Sequence, residues 1–159
     1  MTLPRAQKLI DSYETNTSLI HHHINGISDE QSLLQLPFEA NCLNWIVGHI
    51  VSRRNSALNA LGLPELWGEE ISACYRTGSD PILDAENARA FSDLVADLDR
   101  SQEIFSAALK EADSDLLDAI VTNDRGEKTA LEHLKGFHWH ETYHVGQLDI
   151  LRAFIQSQS

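Results

Sequence analysis

The chain has 159 residues, room for one domain of ordinary size, and its 42% apolar content is enough for a true core. Only 8 Gly and 4 Pro occur and charged residues are 23%, which excludes a disordered or collagen-like chain. The 24 acids against 12 Lys and Arg give a formal net charge of -12. Such a surface repels phosphate backbones and anionic lipid, so neither nucleic acid nor membrane is an expected partner. Two cysteines, Cys42 and Cys74, make no disulfide framework and fit reduced thiols in the cytoplasm. No apolar run is long enough for a transmembrane span, and the polar, periodic N-terminus does not resemble a signal peptide.

A first helix is predicted over 5–25, with Leu9, Tyr13, Asn16, Ile20 and Ile24 on one face, Pro4 near its start and Gly26 at its end. Ser28 to Gln31 is a capping-box pattern that opens a short helical turn before Pro37. A second helix is predicted over 41–61, where Leu43, Ile46, Val47, Ile50, Ala57, Leu58 and Leu61 share a broad apolar arc. Gly62 and Pro64 stop it. Gly48 inside this helix costs about 1 kcal/mol relative to Ala, and it either permits a close approach or is merely tolerated.

Residues 63–84, broken by Pro64, Gly68, Gly78 and Pro81, read as a long connection with a short turn near Trp67. Asp84 is placed to cap a third helix over 85–112, striped by Phe91, Val95, Leu98, Gln102, Phe105, Leu109 and Ala112. Residues 113–128 are acidic and turn-rich, with a short turn or extended piece near Leu116 to Val121. Thr129 and Glu132 form a second capping box, and it opens a fourth helix over 130–156. One all-α domain over 1–159 follows, a four-helix bundle with long crossover connections.

Eight histidines are the unusual feature, and they are unevenly spread. At about 100° per residue, His140 lies about 40° from His144, and both fall on the stripe of Phe137, Leu148, Leu151 and Ile155. A buried imidazole needs partners. Two of them four residues apart on one face either converge on one ion or each donate to a carbonyl or carboxylate. His49, at the edge of the second helix's apolar arc, is the candidate third ligand. Three neutral imidazoles suit Zn²⁺, Ni²⁺, Co²⁺ or Fe²⁺ better than Ca²⁺ or Mg²⁺ and leave one or more positions open for water or substrate.

Glu141 and Gln147 flank the His144 stripe and are placed to orient a histidine or a water; Glu141 is also a candidate base. Arg53, one turn beyond His49, is a candidate for holding an anionic substrate group. Each is otherwise an ordinary flank residue. Trp45 and Tyr143 either wall the pocket or pack in the core, and Trp139 is expected to be exposed or at an interface. His21, His22 and His23 point about 100° apart and cannot share an ion from a regular helix, which leaves His23 as their one pocket candidate.

Asn44-Trp45-Ile46-Val47-Gly48-His49 together with His140-Glu141-Thr142-Tyr143-His144-Val145-Gly146-Gln147 resembles the DinB/YfiT-like superfamily of metal-dependent enzymes. Where members commonly place a further histidine directly before the last ligand, this chain has Tyr143. The resemblance implies a four-helix bundle of long-crossover topology, a homodimer, and a divalent metal, often zinc or nickel, held at the positions of His49, His140 and His144. Characterised relatives include transferases that use low-molecular-weight thiols such as bacillithiol, and mycothiol-dependent isomerases. A thiol S-transferase acting on a small electrophilic substrate is therefore the leading expectation. A metal-dependent hydrolase using activated water and a non-catalytic metal-stabilised interaction domain are the alternatives.

Overall fold

The computed structural model describes residues 1–158. Four long helices, α1 (Pro4–Ile24), α3 (Leu43–Ala60), α5 (Phe91–Glu111) and α7 (Ala130–Ser157), are joined by three short ones: α2 (Asp29–Ser32), α4 (Glu69–Tyr75) and α6 (Ser114–Asp118). A two-stranded antiparallel hairpin, β1 (Ile120–Asn123) and β2 (Gly126–Thr129), precedes α7. The fold is predominantly helical, and the hairpin corrects the all-α expectation. Its strands are four residues each, too short to show alternation. No helix of the described residues is long and apolar enough to cross a membrane.

Both capping boxes form: Gln31 N–H donates to Ser28 Oγ, and Glu132 N–H to Thr129 Oγ1. Gly26 and Gly62 take φ of 78° and 71° just past α1 and α3, the left-handed conformation that ends a helix at least cost to glycine. Arg152 on α7 then covers the frayed end of α1, donating to the carbonyls of His22, His23 and Asn25 at 3.1, 2.7 and 3.0 Å.

Two expected boundaries move. The third long helix begins at Phe91 rather than at residue 85. Residues 84–90 are drawn into tertiary bonds instead: Arg89 N–H donates to the Tyr75 hydroxyl at 2.8 Å, and its carbonyl accepts from Asn44 Nδ2 at 3.0 Å. Asp84 accordingly caps only a turn, accepting from Glu86 N–H. The expected 63–84 connection contains α4, a seven-residue helix between two glycines whose one buried residue is Tyr75.

Each long helix packs on two others, in the cyclic order α1, α7, α3, α5. The core divides into two apolar clusters along the helices. One gathers Ile20 and Ile24, the 43–51 stretch of α3, Leu94 and Leu98, and Val145 to Ile155. The other gathers Ala6 to Tyr13, Ala57 to Leu61, Phe105 and Leu109, and Leu134 and Phe137. Every long helix carries buried polar residues where it passes from one cluster to the other: Asn16, Arg54, Ser101, Glu141 and His144. His140 and His144 lie at this polar layer on α7, and His49 lies within the 43–51 stretch of α3 that packs beside it.

Candidate metal centre

His49 on α3 and His140 and His144 on α7 converge, and their ligand atoms all lie within 4.8 Å of one another. His140 Nε2 stands 3.0 Å from His49 Nε2 and 3.0 Å from His144 Nε2. The outer nitrogens decide what these atoms can do. His49 Nδ1 lies 2.6 Å from the Tyr75 carbonyl oxygen, which can only accept, so the ring proton sits on Nδ1. His144 Nδ1 lies 2.6 Å from Gln147 Oε1 and is protonated for the same reason. Both rings therefore turn a bare Nε2 lone pair toward His140, whose single Nε2 can donate to one of them at most.

Burial keeps the three rings neutral. It holds the His49 imidazolium down to about 3, with the other two imidazoles and Arg53 adding to the effect against the opposing Tyr75 hydrogen bond. Burial likewise takes His140 to about 4 and lowers His144. Neutral imidazoles whose Nε2 atoms face one another, two of them with the far nitrogen held by an acceptor, suit a late transition ion. Donors about 2.0–2.1 Å from such an ion are spaced by roughly 3 Å or slightly more, as His140 Nε2 is from each of the other two. The residues present fit a metal.

Gly48 accounts for the orientation of His49. A Cβ at this position would lie 2.2 Å from Tyr75 Cδ1 and 2.8 Å from Cγ, so only glycine admits the ring. Tyr75 is then fixed by its hydroxyl, which donates to Asn44 Oδ1 at 2.9 Å. Its carbonyl, at the end of α4, is left to receive His49. Trp45, one turn before His49, stacks on the imidazole at 4.7 Å with planes 7° apart, and Trp45 Nε1 donates to Ser79 Oγ.

The histidines open on a cleft of about 440 Å³. Trp45 and Tyr143 both line it, with the Tyr143 ring edge-on to His144 at 5.2 Å. Trp139 is 70% exposed.

Glu141 and Arg53 are placed differently from their expected roles. Neither is among the residues lining the cleft. Glu141 is buried, and both its oxygens are taken by Arg54, from Nε at 2.8 Å and from a terminal nitrogen at 2.9 Å. A carboxylate so engaged is not a free base. Arg53 donates to Asp124 Oδ2 at 2.9 Å and to Thr77 Oγ1 at 3.1 Å, so its terminal nitrogens hold the hairpin tip and a cleft-lining threonine rather than standing free for an anion. His23 turns toward Asp149, 3.6 Å away, and does not line the cleft. Cys42 is the N-cap residue of α3, its buried thiol 3.4 Å from the Ile82 carbonyl, and burial pushes its pKa up, away from nucleophile character.

Arg54 and Tyr75 are the residues that sequence reasoning missed. Arg54 stands four residues after Ile50 and four before Leu58, on the apolar arc, where a cation demands a partner. That signal was present. Nothing in the sequence points to a backbone carbonyl at Tyr75.

A family model described as the DinB superfamily matches residues 12–148. No curated protein matches the chain significantly.

Proposed function

The chain belongs to the DinB superfamily, and from that membership and the three-imidazole cleft we infer a divalent-metal-binding enzyme that transfers a small thiol to an electrophilic substrate. The observation that carries this reading is the set of three Nε2 atoms facing one another with the outer nitrogens of His49 and His144 already bonded. His49, His140 and His144 would hold the ion, with zinc or nickel the best match to imidazole donors. When bound, such an ion supplies Lewis acidity that lowers the pKa of a thiol or a water.

The chain's own residues do the positioning. Tyr75 and Gln147 lock two rings in the ligating tautomer, and Trp45 and Tyr143 wall the place where substrate lies. In the proposed reaction sulfur gains a bond to the electrophilic carbon, the thiol proton passes to solvent, and the leaving group departs with its bonding electrons. Proximity within the cleft supplies much of the rate.

A hydrolase would use the same ligands, but among the described residues no Asp or Glu lines the cleft to serve as its base. A purely structural metal site has no need of a cleft beside it. We read the four long helices as the long-crossover bundle of the DinB/YfiT-like fold. We further propose a homodimer that covers the exposed Trp139 face of α7, and residence in the cytoplasm, in keeping with two unpaired cysteines.

The test is a screen of small thiols against electrophiles, with and without Zn²⁺ or Ni²⁺. Metal-dependent thioether formation is expected. Metal-dependent ester or amide cleavage that needs no thiol would replace this reading with the hydrolase.

A further inference from the structure

Nearly a quarter of this chain is charged, yet among the described residues no Asp, Glu, Lys or Arg lines the cleft beside the histidines. Its polar lining is small and partly spoken for. Gln147 Oε1 accepts from His144, and Thr77 Oγ1 accepts from Arg53, which leaves the Asn41 amide and the Tyr143 hydroxyl as neutral polar groups without such a tie. A charge carried on a ligand's body, away from the histidines, would give up water here with no counter-charge from a side chain.

The mouth points the same way. Phe38 on the 37–41 segment and Tyr143 and Ile150 on α7 all line the cleft, and they are 63%, 56% and 65% exposed. Large apolar side chains exposed together at the rim of a pocket are the informative kind of exposure. Deeper in, Ile46 and Leu151 continue the apolar wall toward the histidines.

We infer that the cleft selects a substrate with an uncharged apolar body, an aromatic ring or short alkyl chain, that lies between Phe38 and Ile150 with its reacting end at the histidines. This deepens the proposed function and rests on it for the reacting end alone. Recognition of the body is by shape and desolvation, and a charge on it finds no counter-ion among the lining side chains.

The test uses three probes of one shape: benzyl alcohol, benzenesulfonate and benzyltrimethylammonium. None is a thiol and none of the ions is a good metal ligand, so the outcome is separate from that of the thiol screen. Binding to the full chain is followed by amide chemical shifts. Benzyl alcohol is expected to bind at least tenfold more tightly than either ion, with shifts centred on residues 45–49 and 140–151. Phe38→Ser and Ile150→Ser, at exposed positions that leave the fold intact, are each expected to weaken benzyl alcohol at least fivefold with metal content unchanged. Equal binding of an ion, failure of benzyl alcohol to bind, or unchanged affinity in both variants would overturn the inference. So would a change from dimer to monomer in either variant, since a second copy would then cover this rim.

Discussion

A single hydrogen atom in place of a methyl group at residue 48 sets the direction in which His49 points. Gly48 admits the Tyr75 ring, the ring holds the end of α4, and the Tyr75 carbonyl receives the His49 proton. Gly48→Ala should therefore do the opposite of an ordinary helix Gly→Ala change. Overpacking against a buried ring costs about 1–3 kcal/mol, and displacing an outer-sphere partner weakens metal about 10–100-fold. Thermal unfolding and a metal competition titration check both, and a variant that gains stability and keeps full affinity would contradict the arrangement. The histidines also give the metal-free protein a pH signature. Above about 6.5 the folded and unfolded chains both hold these rings neutral. As pH falls below that, the unfolded chain takes up protons that His49 and His140, held to about 3 and about 4, refuse. Stability of the chelated protein should decline from pH 6.5 toward pH 4, and His49→Gln should flatten that decline in urea titrations. An unaltered slope would show that burial does not hold this ring neutral.

Among the elements, α3 and α7 are held in register by Arg54 and Glu141. All five Arg54 N–H groups are used: two on Glu141, one each on Thr17 Oγ1 of α1 and on the Leu98 carbonyl and Ser101 Oγ of α5. One side chain thus touches all three other long helices at the polar layer, and its partner Glu141 directly follows His140. Removing one partner of a buried pair leaves an uncompensated charge, at about 3–5 kcal/mol. Glu141→Gln is expected to lose stability on that scale, while Arg54→Met combined with Glu141→Leu should lose less than either single change in denaturant unfolding. Strict additivity of the two would show that the residues act independently. The stripe arithmetic that located His140 and His144 applied equally to these two residues. Glu141 stands four residues after Phe137 and four before Val145, so its place inside the bundle was legible. Its partner was not, because the offset between two helices is set by packing and not by either helix's own period. Arg53 was the more visible arginine only because it follows His49 by one turn.

At the scale of the whole molecule, the long helices were legible because each repeats apolar residues at three- and four-residue spacing over five or more turns, and the glycines and capping boxes marked their ends. The pieces that escaped are those whose structure depends on distant residues. Helix α4 exists to bury Tyr75 against Gly48, and residues 84–90 leave the helical path to bond Tyr75 and Asn44. The hairpin is anchored by His133, whose Nε2 donates to the Val121 carbonyl at 2.9 Å, and it carries Asp124 to Arg53. The metal-ligand set could be assembled from the sequence because two ligands share a helix face, but the cleft's lack of charge emerges only once α3, α7 and the 37–41 segment are brought together. All of the chemistry proposed depends on three imidazoles sharing one ion. Elemental analysis of the purified chain beside His49→Ala, His140→Ala and His144→Ala tests that most directly. The account predicts one divalent transition ion per chain in the parent and loss of stoichiometric metal in each variant, with helix content retained; full metal content in all three variants would contradict it.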